Sequence, residues 1–124
     1  MRNKRYLRLL ALFLVIGLSI GSVYAQKDEV TLRGVIIDSA CAGAHSSDMS
    51  NFIQSHTKDC ALMPACEKSG YNIYSEGVLY KFDAAGSAKV AKFLKENSSS
   101  LKVTVRAEKR GDIFRLISIE NAQS

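Results

Sequence analysis

"YNIYSEGVLYKFD", residues 71–83, sets two runs rich in aromatic and aliphatic residues, Tyr71–Ser75 and Val78–Asp83, on either side of Glu76-Gly77. A two-residue link ending in glycine between such runs predicts a tight β-hairpin. Downstream, Val90, Phe93 and Leu94 recur at helical spacing behind Asp83, Gly86 and Ser87, which predicts a helix over about Ser87 to Glu96. Two alternating runs then follow, "LKVTVRAEKR" (101–110) and "IFRLISIEN" (113–121), turned by Gly111-Asp112. Upstream, "EVTLRGVIID" (29–38) alternates Val30, Leu32 and Ile36 against Thr31 and Arg33 and reads as a first strand, with Gly34 marking a bulge or a strong bend.

The resulting order is strand, insert, strand, strand, helix, strand, strand. It predicts a mainly β fold with α, a small five-stranded OB-like barrel, and the alternative is an α+β sandwich with the helix laid across an antiparallel sheet. The insert, at about residues 39–70, falls in the connection between strands one and two, a loop that OB barrels commonly use for binding.

The N-terminus, "MRNKRYLRLLALFLVIGLSIGSVYA", has a basic start, an apolar run from Leu9 to Ile20 and small residues at Val23 and Ala25. This is the layout of a secretory signal peptide over residues 1–25, with cleavage after Ala25 and a single domain over 26–124. The alternative is an uncleaved membrane anchor, for which about 20 apolar residues are needed. No cysteine near the junction suggests a lipid anchor.

Cleavage removes Arg2, Lys4, Arg5 and Arg8, leaving thirteen Lys and Arg against twelve Asp and Glu, a net charge of +1 rather than +5. The basic balance therefore belongs to the leader, and a nearly neutral domain lacks the electrostatic footprint of nucleic-acid binding. Lys89, Lys92 and Lys95 read as the solvated face of the helix. Tyr71, Tyr74 and Tyr80 could stack bases on a barrel face, but alternating strand positions read as sheet packing.

Within the insert, Ser47 as N-cap, Asp48 in the first turn, and Met49, Phe52, Ile53 and His56 at helical spacing predict a short helix from about Asp48 to His56. Pro64 suits the first position of a further short helix that Gly70 would cap.

Three cysteines lie beyond the leader, Cys41, Cys60 and Cys66, an odd number for an oxidising compartment. The plain reading is a disulfide plus one spare thiol. On chain-entropy grounds Cys60–Cys66 would contribute about 2.4 kcal/mol, and Cys41 with Cys60 or Cys66 about 3.3–3.5 kcal/mol. Cys41 is the favoured partner because it would tie the first strand to an insert with little other core. The sharper reading is a metal site of Cys41, His56, Cys60 and Cys66. Its thiolates and imidazole suit Zn, or Cu(I) if Met49 or Met63 is near, and His56 and Cys60 would share one face if their helix ran on a turn. A redox role centred on Cys66 is the third, without a Cys-x-x-Cys motif behind it. His45 reads as a solvated loop histidine, and Asp38 and Asp59 as carboxylates able to orient a ligating histidine.

Taken together, "GVIIDSAC" (34–41), "HTKDCALMPACEKSGYNIY" (56–74) and "VLYKFDAAGSAK" (78–89), with a basic strand pair behind them, carry a pattern. It resembles that of a family of small exported bacterial proteins of unknown function, over about Gly34 to Glu120. The resemblance implies no activity, substrate or cofactor. It singles out Asp38, Cys41, His56, Cys60 and Cys66, leaves His45 out, and differs in the five-residue "ALMPA" between the last two cysteines.

The sequence thus predicts an exported, periplasmic or secreted, non-catalytic binding domain that takes a metal ion through its Cys/His insert. The alternative is a structural or interaction protein with a disulfide-stapled loop and no metal. Without Gly-x-Ser-x-Gly or His-Glu-x-x-His, and with two histidines in all, an enzyme is the least favoured class. The partner is not specified by the sequence. No nucleic acid is expected, and membrane contact is expected only through an uncleaved leader.

Overall fold

The structure, a computed structural model, describes residues 28–124. The expected leader lies outside the described residues, and among these no helix is long and apolar enough to cross a membrane. Five strands, β1 (Glu29–Asp38), β2 (Tyr71–Ser75), β3 (Val78–Phe82), β4 (Lys102–Arg110) and β5 (Ile113–Asn121), close into a barrel in the order β1-β2-β3-β5-β4. The barrel expected from the element order is therefore formed, and closure excludes the open sandwich.

One strand serves two neighbours. β1 pairs antiparallel with β4 through Glu29–Val35 and with β2 through Val35–Asp38. Gly34 sits where it changes partner, and a Cβ there would come within 2.1 Å of the Tyr74 carbonyl oxygen. Glycine is needed at this bend for close backbone approach. The β2–β3 hairpin turns through Glu76 and Gly77, both at positive φ (50° and 81°), as a primed two-residue turn requires. β3 meets β5 in parallel at only two positions, Lys81↔Ile113 and Phe82↔Phe114. The ladder irregularity lies further round the barrel, between Arg106 and Ala107, rather than at Gly34.

Inward positions alternate along the strands, so Ile36, Ile73, Val103 and Val105 are fully buried, with Phe82 and Leu116 nearly so. Four helices in the β1–β2 connection, α1 (Ser39–Ala44), α2 (Met49–Ser55), α3 (Lys58–Ala61) and α4 (Pro64–Ser69), make up the insert, and α5 (Ala84–Leu94) lies between β3 and β4. Val90 and Leu94 of α5 join the barrel core. This helix begins three residues before the expected start because Asp83 caps it, accepting from the Gly86 N–H at 2.7 Å. Lys89 donates to the Leu116 carbonyl and Lys95 pairs with Glu67, so two of the three lysines expected on a solvated face are engaged.

The insert helices have four to seven residues each, too short to stand without caps and packing. Thr57 caps α3, Pro64 opens α4, and Gly70 closes it at φ 85°. Helix α2 matches its expected range, but Asp48 rather than Ser47 holds the N-cap position. Its carboxylate gives the helix no hydrogen bond and faces His45 Nδ1 at 3.3 Å instead. Helices α1 and α3 were not expected from periodicity, since each is only about a turn long.

Several polar contacts fasten the insert to the rest of the fold, among them Ser50 Oγ with the Tyr74 hydroxyl at 3.0 Å. The buried Tyr71 hydroxyl donates to the Ala61 carbonyl at 2.7 Å. Asn72 donates to Ser39 Oγ at 2.9 Å. The Lys58 ammonium reaches the carbonyls of Glu96 and Ser99 at 3.1 and 3.0 Å, just past the C-terminal end of α5, where a cation also offsets the helix dipole. The tyrosines form no common platform: Tyr71 and Tyr80 pack on the main core and Tyr74 on a smaller cluster beneath the insert.

Candidate metal centre

Asp38, the last residue of β1, is fully buried. Its Oδ1 accepts from the Cys41 N–H at 2.9 Å, capping α1 and fixing where Cys41 begins. Its Oδ2 faces His56 Nε2 at 3.5 Å, and both side chains are wholly shielded from solvent. His56 ends α2: its N–H closes the last turn onto Phe52, and its backbone then turns extended. The Phe52 ring packs against the imidazole at 5.1 Å.

Asp38 Oδ2 and both His56 ring nitrogens have no hydrogen-bond partner, and they are the buried side-chain polar atoms so placed among the described residues. An unpartnered buried polar atom costs about 1–3 kcal/mol, and here the three meet at one spot. Around them stand the three cysteines, all free and half-buried.

The five residues form two overlapping groups. Ligand atoms of Cys41, His56 and Cys60 all lie within 4.8 Å of one another, and so do those of Asp38, Cys41 and Cys66. Cys41 belongs to both. The expected quartet of Cys41, His56, Cys60 and Cys66 is thus brought to one place but split, with Cys66 grouped beside Asp38 and Cys41. His56 and Cys60 do not share a helical face, because the chain is extended at His56 and Thr57 and Cys60 starts afresh on α3. Tertiary packing, not an i,i+4 spacing, brings them together.

Electrostatics follows from this burial. Desolvation first, and then the Asp38 carboxylate, push the Cys41 thiol up to about 12. Desolvation and Asp38 likewise raise Cys66. Burial lowers His56 against the opposing pull of Asp38. Cysteine, histidine and aspartate in this order could suggest a nucleophilic triad, but these shifts run opposite to those of an activated thiol. A bound cation reverses them, since a coordinated thiol is deprotonated outright.

The remaining candidates lie outside the groups. His45 is part-exposed and stacks on Phe52 at 3.7 Å. Asp59 is exposed in the first turn of α3. Met49 is buried in the small apolar cluster and Met63 is 55% exposed. No bridge joins Cys41 to Cys60 or Cys66, although each pair of sulfurs is within 4.8 Å. Asp38 is the member that sequence reasoning cast as a supporting carboxylate; its Asp-x-x-Cys spacing was the available signal, since it places a cap acceptor three residues before the amide of Cys41.

No family model, curated protein or solved structure matches this chain. Fold and site together define its class: a five-stranded barrel whose β1–β2 connection carries a Cys/His/Asp cluster at metal-binding distances.

Proposed function

We propose that this protein is an exported binding domain that holds a thiophilic metal ion, zinc before Cu(I), in its insert. The ion sits among Cys41, His56 and Cys60, and Cys66 and Asp38 complete the site from the other side of Cys41. The observation that carries this reading is the unpartnered His56 imidazole, sealed from solvent within 4.8 Å of two thiols. A neutral imidazole has one N–H and one bare nitrogen, and only a metal ion or a proton donor satisfies the bare one. Thiolate and imidazole donors together favour zinc. The carboxylate of Asp38 beside Nε2 favours zinc further, because it is a hard donor suited to fixing a ligating histidine.

Thiol titration with and without denaturant, paired with elemental analysis, tests the reading. Stoichiometric zinc, with thiols released only on chelation, is the expected result, and His56→Ala should weaken binding at least tenfold. One free thiol per denatured chain and no metal would overturn it. That second outcome belongs to the stapled-loop reading, which the closeness of Cys41 to both other sulfurs favours in an oxidising compartment.

A further inference from the structure

We propose that the cluster is built for two divalent ions rather than one, with the Cys41 thiolate bridging them. This rests on the metal-binding reading above and extends it. The first ion takes Cys41, His56 and Cys60; the second takes Asp38, Cys41 and Cys66.

Geometry gives the first reason. Five donors exceed what one tetrahedral ion takes, and they form two triads, each within 4.8 Å, that share Cys41 and touch where Asp38 Oδ2 faces His56 Nε2 at 3.5 Å. Three donors are what a zinc ion needs before a bridging or solvent ligand completes it. The second triad is not a surface acidic cluster: Asp38 is fully buried, and its Oδ2 has no hydrogen-bond partner.

Charge gives the second. Ligation by all five groups leaves three thiolates, one carboxylate and a neutral imidazole, four negative charges in a site whose thiols are half-buried and whose carboxylate is fully buried. Among the described residues no Lys or Arg pairs with Asp38, whose ion-pair neighbour is His56. The nearby Lys58 is turned away onto the carbonyls of Glu96 and Ser99. With all five groups ligating and ionised, one divalent ion would leave an excess of two negative charges beside the sealed Asp38 and His56 side chains, and buried uncompensated charge is unfavourable. Two divalent ions bring the site to neutrality. Two Cu(I) ions would leave the same excess as one zinc, so the charge count also selects divalent over monovalent ions.

The test uses the protein expressed from its full sequence, purified under reducing conditions, and loaded with zinc or cadmium alone. Native mass spectrometry should show two zinc ions per chain, and cadmium NMR two resonances. Cys66→Ser and Asp38→Asn should each retain one ion, while Cys41→Ser should lose both. Asparagine keeps the cap acceptor on α1, and circular dichroism matching wild type would confirm that each variant folds. A single ion in wild type, unchanged in Cys66→Ser, would overturn the second position and leave the one-ion reading standing. No ion at all would overturn both. Two ions in wild type that both survive in Cys66→Ser and Asp38→Asn would place the second ion elsewhere and overturn the assignment.

Discussion

The barrel and its insert are built on opposite terms. The barrel encloses a continuous apolar core in which Ile36, Ile73, Val90, Leu94, Val103 and Val105 have no exposure at all. The insert has four short helices over a small apolar cluster of Ile37, Ala42 and Met49, and beside it a buried carboxylate, a buried imidazole and three thiols. The barrel meets its own requirements, since its strands pair and its inward residues are apolar. The insert leaves three buried polar atoms unanswered, and that deficit marks it as the candidate site. Apolar burial is concentrated in one region, joined by Ala61 of the insert, and unpartnered donor atoms in the other.

The comparison can be broken first at the barrel. Phe82, nearly fully buried beside Phe114 and α5, truncated to alanine should cost about 3–5 kcal/mol of unfolding free energy in urea titration. A loss under 1 kcal/mol would mean that the barrel does not carry the fold. Next is the insert. Zinc at a hundredfold excess over its Kd should raise unfolding free energy by about 2.7 kcal/mol. Amide exchange should slow across residues 39–70, with little change in β4 and β5. Uniform slowing would erase the division between the two regions.

The joint between them comes third. Lys58→Met, which removes the ammonium from the Glu96 and Ser99 carbonyls, should cost about 1.5 kcal/mol and loosen α3 before the strands. The smallest effect belongs to the ion pairs of Glu108 on the barrel wall. Hydrogen bonds from Arg115, aided by Arg110, hold the Glu108 carboxyl below its usual range. A depressed carboxyl contributes stability above its unfolded pKa, and that contribution fades as pH falls through the folded one. Glu108→Gln should therefore be slightly less stable than wild type near neutrality, and the two should converge below the ordinary carboxylate range. Unfolding midpoints taken as a function of pH would check this, and a gap that persists in acid would exclude the ion pair as its source.

Much of the barrel is legible because its signals are local. Glu76-Gly77 demands a primed turn, Gly111-Asp112 a second, and strict alternation in Val103, Val105 and Ala107 names the inward face. The start of helix α5 is not legible because Asp83 can end a strand or cap a helix, and only the Gly86 hydrogen bond decides between them. In the insert, α1 and α3 are not legible since a helix of four to six residues shows little more than one period. The five site residues were all named from the sequence, but their grouping was not. An i,i+4 relation between His56 and Cys60 is a helix rule, and the chain breaks the helix between them.

The sequence by itself determined the strand count, the order of elements, the place of the insert and the candidate donor residues, because turn chemistry, periodicity and donor type are properties of neighbouring residues. The tertiary structure decided that Asp38 is sealed against His56, that Cys41 is common to two groups, and that Cys66 joins Asp38. These relations span up to 28 residues of chain and follow from where β1 ends and how four short helices fold back over it. Burial and distance across such spans are set by packing, and no spacing along the chain encodes them.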